Sequence, residues 1–388
     1  LCKCQLLTFR IKIAEKSLAS CITDGGIVAG GHHFVDLWAR DSLFATFGAN
    51  VSGMISESKK TIETFYSFQR DDGLIPYLIL RSRHTIGKYF GKQAYYQNPK
   101  PVFRSHLTFG TVPDGGVLSI IATRNYVGTT GDVQFLRTYY KKMTAAFSWY
   151  ETKFGYGLIW EWFSCEWADA TLKIGKTLYT NILYYKAARD LSWIATRLQK
   201  TKDAARYAEI ATRIGDQIRS QLWTGTHFAD WIDYKRHDYL ATHPNMLAII
   251  FGFATKKEAI SILKLAKQTA WNGWTLTNTN IPYPWWRIPL LHHSIGLSDY
   301  HNGLIWLQPG ILFAVALYKM GKIKEAKKVL EGIDEHIKKY GDVYEVYETD
   351  GSPVKRRMYT SEHPFAWSAG LYLWACHILN GHDAKATF

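Results

Sequence analysis

A chain of 388 residues, 47% apolar and 21% charged, has the material for a large folded core, which excludes a disordered or fibrous protein. No apolar run comes near the roughly 20 residues of a membrane span, and the N-terminus carries no charged-then-apolar leader, so no membrane partner is expected. The formal charge of +14 admits nucleic acid or an acidic partner, but Lys and Arg are scattered along helix faces such as 256–267 and 319–339, so no nucleic-acid partner is expected either.

Helical periodicity runs from end to end and predicts about twelve helices. They fall at 11–22, 37–53, 55–70, 114–130, 133–150, 178–198, 201–222, 244–253, 255–270, 302–320, 322–339 and 364–380. Several are paired across tight turns. In Thr129-Thr130-Gly131-Asp132, Gly131 suits a helix C-cap and Asp132 an N-cap. Within pairs the character alternates: 133–150 and 322–339 carry long charged faces, whereas 114–130 and 302–320 are apolar nearly all round. Hairpins of this kind close most simply into an all-α (α/α)6 toroid, and no Pro- or Ser-rich linker divides residues 1–388 into more than one domain. The long connections, 71–113, 151–177, 223–243, 271–301 and 340–363, each precede an inner-type helix and are therefore expected on one rim.

That rim holds the unusual residues. The stretch Gly157–Asn181 crowds Trp160, Trp162, Phe163 and Trp167 against Glu161, Glu166 and Asp169. Flat rings beside acids suit a carbohydrate, and a ring wall raises a carboxyl pKa by desolvation; the plainer reading is a Trp-rich core corner. Trp38-Ala39-Arg40-Asp41 opens a helix with a guanidinium beside a carboxylate, fit for vicinal hydroxyls or for a local ion pair. Asp114 is an N-cap or a hydroxyl acceptor. His301 and Trp306 open another inner helix, Glu345 lies between Tyr344 and Tyr347, and Trp367 begins the last helix. Five scattered cysteines (Cys2, Cys4, Cys21, Cys165, Cys376) form no disulfide framework, and Cys2/Cys4 has no second pair for zinc, so a reducing, cytoplasmic setting without a metal or organic cofactor is expected.

Five blocks in order then resemble the six-hairpin glycosidases. WARDSLFATFGANVSG with QRDDGLIP is similar to a signature of the glucosidase domain of glycogen debranching enzymes, whose relatives include neutral invertases and processing glucosidases. EWADATLKIGK, YHNGLIW, VYEVYETDG and PFAWSAGLYLWA continue the likeness over about residues 8 to 380. The resemblance implies an inverting glycoside hydrolase acting on α-linked glucosides or short oligosaccharides. Asp169 would be its general acid and Glu345 its general base, with the carboxyls roughly 6.5–9.5 Å apart. It also implies sugar contacts from Trp38, Arg40, Asp41, Asp114, His301 and Trp306. Trp167, Glu166 and Trp367 join them as candidates beside these motifs, Glu166 also as a second candidate for the acid. This chain departs from the pattern at Ala168, Ala366 and Pro113. Asp169 is expected in a dry wall of Trp160, Trp162 or Trp167, and Glu345 in a wetter place. A phosphorylase, a fructosidase and a non-catalytic sugar- or nucleic-acid-binding toroid are the competing readings.

Overall fold

The computed structural model describes residues 3–83, 94–155 and 157–381, with side chains from residue 11 onward. Cys2 and the Cys4 side chain lie outside that description; Cys21, Cys165 and Cys376 are buried. The long helices are α1 (Lys3–Ala19), α2 (Ala39–Val51), α3 (Ile55–Ser67), α4 (Asp114–Thr130), α5 (Val133–Phe154), α6 (Leu178–Arg197), α7 (Thr201–Leu222), α8 (Thr242–Ile250), α9 (Lys256–Thr269), α11 (Leu307–Lys319), α12 (Ile323–Tyr340) and α13 (Ala366–Leu379), with a short α10 (Leu290–Ser294) between α9 and α11. No helix among the described residues is long and apolar enough to cross a membrane.

Six of them, α2, α4, α6, α8, α11 and α13, pack each against the next, and α13 returns to α2 to close the ring. The others sit outside it: α3 against α2 and α4, α5 against α4 and α6, α7 against α6, α9 against α8, α12 against α11 and α13, and α1 against α13. The fold is therefore the expected (α/α)6 toroid of six outer-then-inner hairpins. Sequence decides which layer a helix joins. α11 is buried along Leu307–Leu317, whereas α12 buries only Ala326, Val329, Leu330, Ile333, Asp334 and Ile337, a single face at helical spacing. Gly131, left-handed at φ 74°, ends α4, and the Asp132 side chain accepts from the Phe135 amide to start α5. The ring closes where Gly48 of α2 meets Gly370 of α13: a Cβ on Gly48 would lie 2.2 Å from the Gly370 carbonyl oxygen.

The rim contains short strands that the periodicity did not predict. β1 (Ile22–Thr23) and β2 (Gly26–Ile27) form a small hairpin. β3 (Leu37–Trp38), just ahead of α2, pairs antiparallel with β4 (Leu78–Arg83), which pairs with β5 (Ala94–Val102) inside the connection expected to be a plain loop. β6 (Lys176–Thr177) pairs with β7 (Trp231–Ile232), and β7 with β8 (Arg236–His237). β9 (Ile305–Trp306) pairs with β10 (Val346–Tyr347), and β11 (Lys355–Arg356) with β12 (Tyr359–Thr360). The helices expected from 37, 302 and 364 accordingly start later, at Ala39, Leu307 and Ala366, because the preceding residues are spent on these bridges and turns.

Candidate functional site

The connections into the inner helices surround a cavity of about 300 Å3 at the mouth of the ring. Each of its sides comes from a different connection. Trp38 (β3) and Arg40 and Asp41 (first turn of α2) form one side; Trp167 and Asp169, ahead of α6, form another. Tyr300, His301 and Trp306 arrive from the segment before α11, and Glu345, Tyr359 and Trp367 from the segment leading into α13. Asp169 and Glu345, far apart in the chain, thus share one cavity.

Asp169 keeps 39% of its side chain exposed. The Arg40 Nη1 lies 3.9 Å from one of its oxygens and the His301 Nδ1 3.9 Å from the other. Desolvation pushes its pKa up to about 6, helped by the charges of Glu166 and Asp114 and opposed by Arg40. The aromatic wall beside it is Trp167, whose ring meets those of His301, Trp306 and Trp367 edge-on. Trp160 and Trp162 do not contribute: both are exposed, 43% and 44%, and pack on each other instead.

Glu345 is 2% exposed, not wetter than Asp169 as expected but drier. Burial pushes its pKa up to about 8 against the pull of two hydroxyls: Tyr300 donates to Oε1 at 2.5 Å and Tyr359 donates to Oε2. The tyrosines flanking it in sequence turn away; the Tyr347 hydroxyl accepts from the Tyr344 amide at 3.0 Å. Tyr300 and Tyr359 are the residues sequence reasoning missed. Tyr300 was visible only as the neighbour of His301, and nothing local marks Tyr359.

His301 stacks on Trp306 with ring centroids 4.8 Å apart. Burial holds its pKa well below the usual value, so the ring is neutral. Its Nδ1 accepts from the Ala170 amide at 3.3 Å, which leaves the proton on Nε2, a buried atom without a hydrogen-bond partner among the described residues. Asp41 lines the cavity with its pKa raised to about 7 by desolvation.

Two of the expected sugar contacts are not on the cavity wall. Asp114 is the first residue of α4 and makes no cap; its Oδ2 accepts from Arg40 Nε at 2.7 Å, so it stands behind the guanidinium and holds it. Glu166 is 2% exposed and closed into an ion pair with Lys173, Nζ to Oε1 2.8 Å. A carboxylate engaged this way faces no substrate, which removes Glu166 both as a sugar contact and as the second candidate for the acid. Among the described residues no group of three or more His, Cys, Asp or Glu side chains is arranged to hold a metal ion.

Structural comparison returns enzymes of the same architecture. A GH63 mannosylglycerate hydrolase from Thermus thermophilus, in complex with glucose, is 14% identical over 94% of this chain and 99% of that one, with a TM-score of 0.69. A glycosidase variant in complex with glucose is 13% identical over 98% and 99%, at 0.72. A rhamnosidase from Klebsiella oxytoca with rhamnose bound is 12% identical over 98% of this chain and 64% of that one, at 0.69. Among curated proteins none matches the sequence. The sequence family that does match, over residues 35–368, is the mannosylglycerate hydrolase MGH1-like glycoside hydrolase domain, which upholds the six-hairpin glycosidase resemblance without adding support for the debranching branch of it. The chain belongs to that MGH1-like family and is a glycoside hydrolase.

Proposed function

We propose that the protein, acting as a single catalytic domain, hydrolyses an α-linked hexoside with inversion, releasing glucose or a similar hexose from a small polar aglycone. The observation that supports this is the pair Asp169 and Glu345 on one aromatic-lined cavity, with only Asp169 substantially open to it. Asp169 would protonate the leaving oxygen. Glu345, held by Tyr300 and Tyr359, would take a proton from a water attacking the opposite face of the anomeric carbon. The Arg40 guanidinium and the Asp41 carboxylate on the cavity wall are available to the sugar hydroxyls, and Trp38, Trp167, Trp306 and Trp367 offer apolar faces.

A cavity of about 300 Å3 lies at the small end of the ~300–1,000 Å3 typical of ligand pockets, which favours one hexose and a short leaving group over a polymer. Structures of the Thermus relative contain glucose, or Tris with D-glycerate, which makes the α-glucosyl and α-mannosyl glycerates the first compounds to assay. The test is turnover of these and of small neutral α-glucosides, with and without inorganic phosphate, with NMR following the first anomer released. β-Hexose as first product supports the reading. Release of the α-anomer overturns inversion, and a phosphate-dependent sugar phosphate makes the enzyme a phosphorylase.

A further inference from the structure

Behind the cavity, the turn that carries Asp169 is closed by a charge cluster shut away from solvent. Glu166 and Lys173 stand at its two ends, and Lys173 Nζ joins them at 2.8 Å. The same ammonium reaches Asp230, just ahead of β7, at 2.9 Å, and the Tyr283 hydroxyl donates to Asp230 Oδ2 at 2.6 Å. The charged side chains of all three ionic groups are 3% exposed or less. The ammonium lies 5.1 Å from the centre of the Tyr283 ring and 5.8 Å from that of Trp231, so ring faces cover what the carboxylates leave open.

We infer that Lys173 is a positioning residue for catalysis: it ties both ends of the Asp169 turn to the neighbouring Asp230 and so sets where the acid's carboxyl meets the leaving oxygen. The inference rests on Asp169 being the general acid. The turn's other fastenings are single contacts to separate segments: Arg40 Nη1 3.9 Å from Asp169 itself, Leu172 N to Arg287 O at 2.6 Å, Arg287 Nη1 to Leu172 O at 2.9 Å, and the Ala170 amide on His301. Tyr283 is in turn locked to the His301 segment, since its amide donates to Asn302 Oδ1 and its carbonyl accepts from Asn302 Nδ2 at 3.0 Å. One ammonium therefore links the acid's turn to the segments before α8 and α11. Removing it leaves two carboxylates, Glu166 and Asp230, facing each other without a cation, which drives the turn apart.

A bond whose leaving group needs no proton separates this role from simple loss of fold. The pair of substrates is α-glucosyl fluoride and α-glucosylglycerate, or the mannosyl pair if the wild type prefers it. Fluoride leaves without an acid; glycerate needs one. Lys173→Met is expected to cut kcat on the glycerate glycoside by about 10²-fold, the lower end of what a positioned acid contributes, and to leave the fluoride within about threefold. Tyr283→Phe, which removes only the hydroxyl on Asp230, shows the same selectivity at smaller size and carries the test if Lys173→Met does not fold. Equal losses on both substrates, or none, overturn the inference. Asp169→Asn is the control: if it too loses both equally, the acid assignment itself fails, whereas a selective Asp169→Asn beside an unselective Lys173 variant removes only the role given to Lys173.

Discussion

Glu345 accepts hydroxyls from residues 45 and 14 positions away in sequence, Tyr300 and Tyr359, and these decide how the proposed reaction responds to pH. The acid must hold its proton and the base must have lost it. With Asp169 near 6 and Glu345 near 8, about one molecule in a hundred has both in the required form between those values, and fewer outside them. The kcat/KM profile is therefore expected to be a broad bell, falling below about pH 6 and above about pH 8. Tyr359→Phe removes a donor that favours the carboxylate, so Glu345 should rise further. The alkaline limb then moves to higher pH while the plateau drops, and a limb that stayed in place would show that the hydroxyl does not tune this group. Glu345→Gln should abolish hydrolysis of the fluoride and the glycerate glycoside alike, read by sugar release. At this scale the meeting of Asp169 and Glu345 on one cavity was legible from the motifs, although of the aromatic neighbours expected beside them only Trp167 lines it. The tyrosines were not legible, since donors that come together only through β11–β12 and the turn before β9 leave no spacing to read.

Elements were read more reliably than their ends. The twelve long helices and the alternation of inner and outer partners follow from which faces are apolar, and the Gly131–Asp132 turn caps as its residue types dictate. What escaped were strands of two residues, too short to show alternation and set by pairing with a distant segment. β4–β5 is the larger miss: Leu78–Arg83 and Ala94–Val102 mix apolar, basic and proline positions, and their strand character comes from pairing, β5 on β4 and β4 on β3 beside the cavity. The Gly48–Gly370 contact is likewise invisible until the ring closes. An added methyl there meets backbone, not a flexible side chain, so Gly48→Ala should destabilise by at least the ~1–3 kcal/mol of core overpacking, measured by urea unfolding. A gentler change at an outer helix is Thr255→Ala, which breaks the capping box with Glu258 at the start of α9 and should cost about 1 kcal/mol without altering activity.

On the scale of the molecule, the sequence foretold a closed ring with its long connections on one rim, because each long connection precedes an inner helix. It could not foretell that the rim is stitched. β3–β4 ties the lead-in of α2 to that of α4, β6–β7 ties those of α6 and α8, and β9–β10 ties those of α11 and α13. Around the mouth, the six lead-ins are thus joined two by two.

These stitches bear on how the enzyme should fail. Segments fastened to one another and to the first turns of the inner helices cannot fray one at a time, so the Ala39 and Leu178 amides, which donate across these stitches to the Tyr77 and Asp230 carbonyls and have no acceptor inside their own helices, should resist hydrogen exchange about as long as the inner helices do. Loss of turnover on heating should accordingly coincide with loss of far-ultraviolet ellipticity, rather than precede it as it does in enzymes whose working loops melt first.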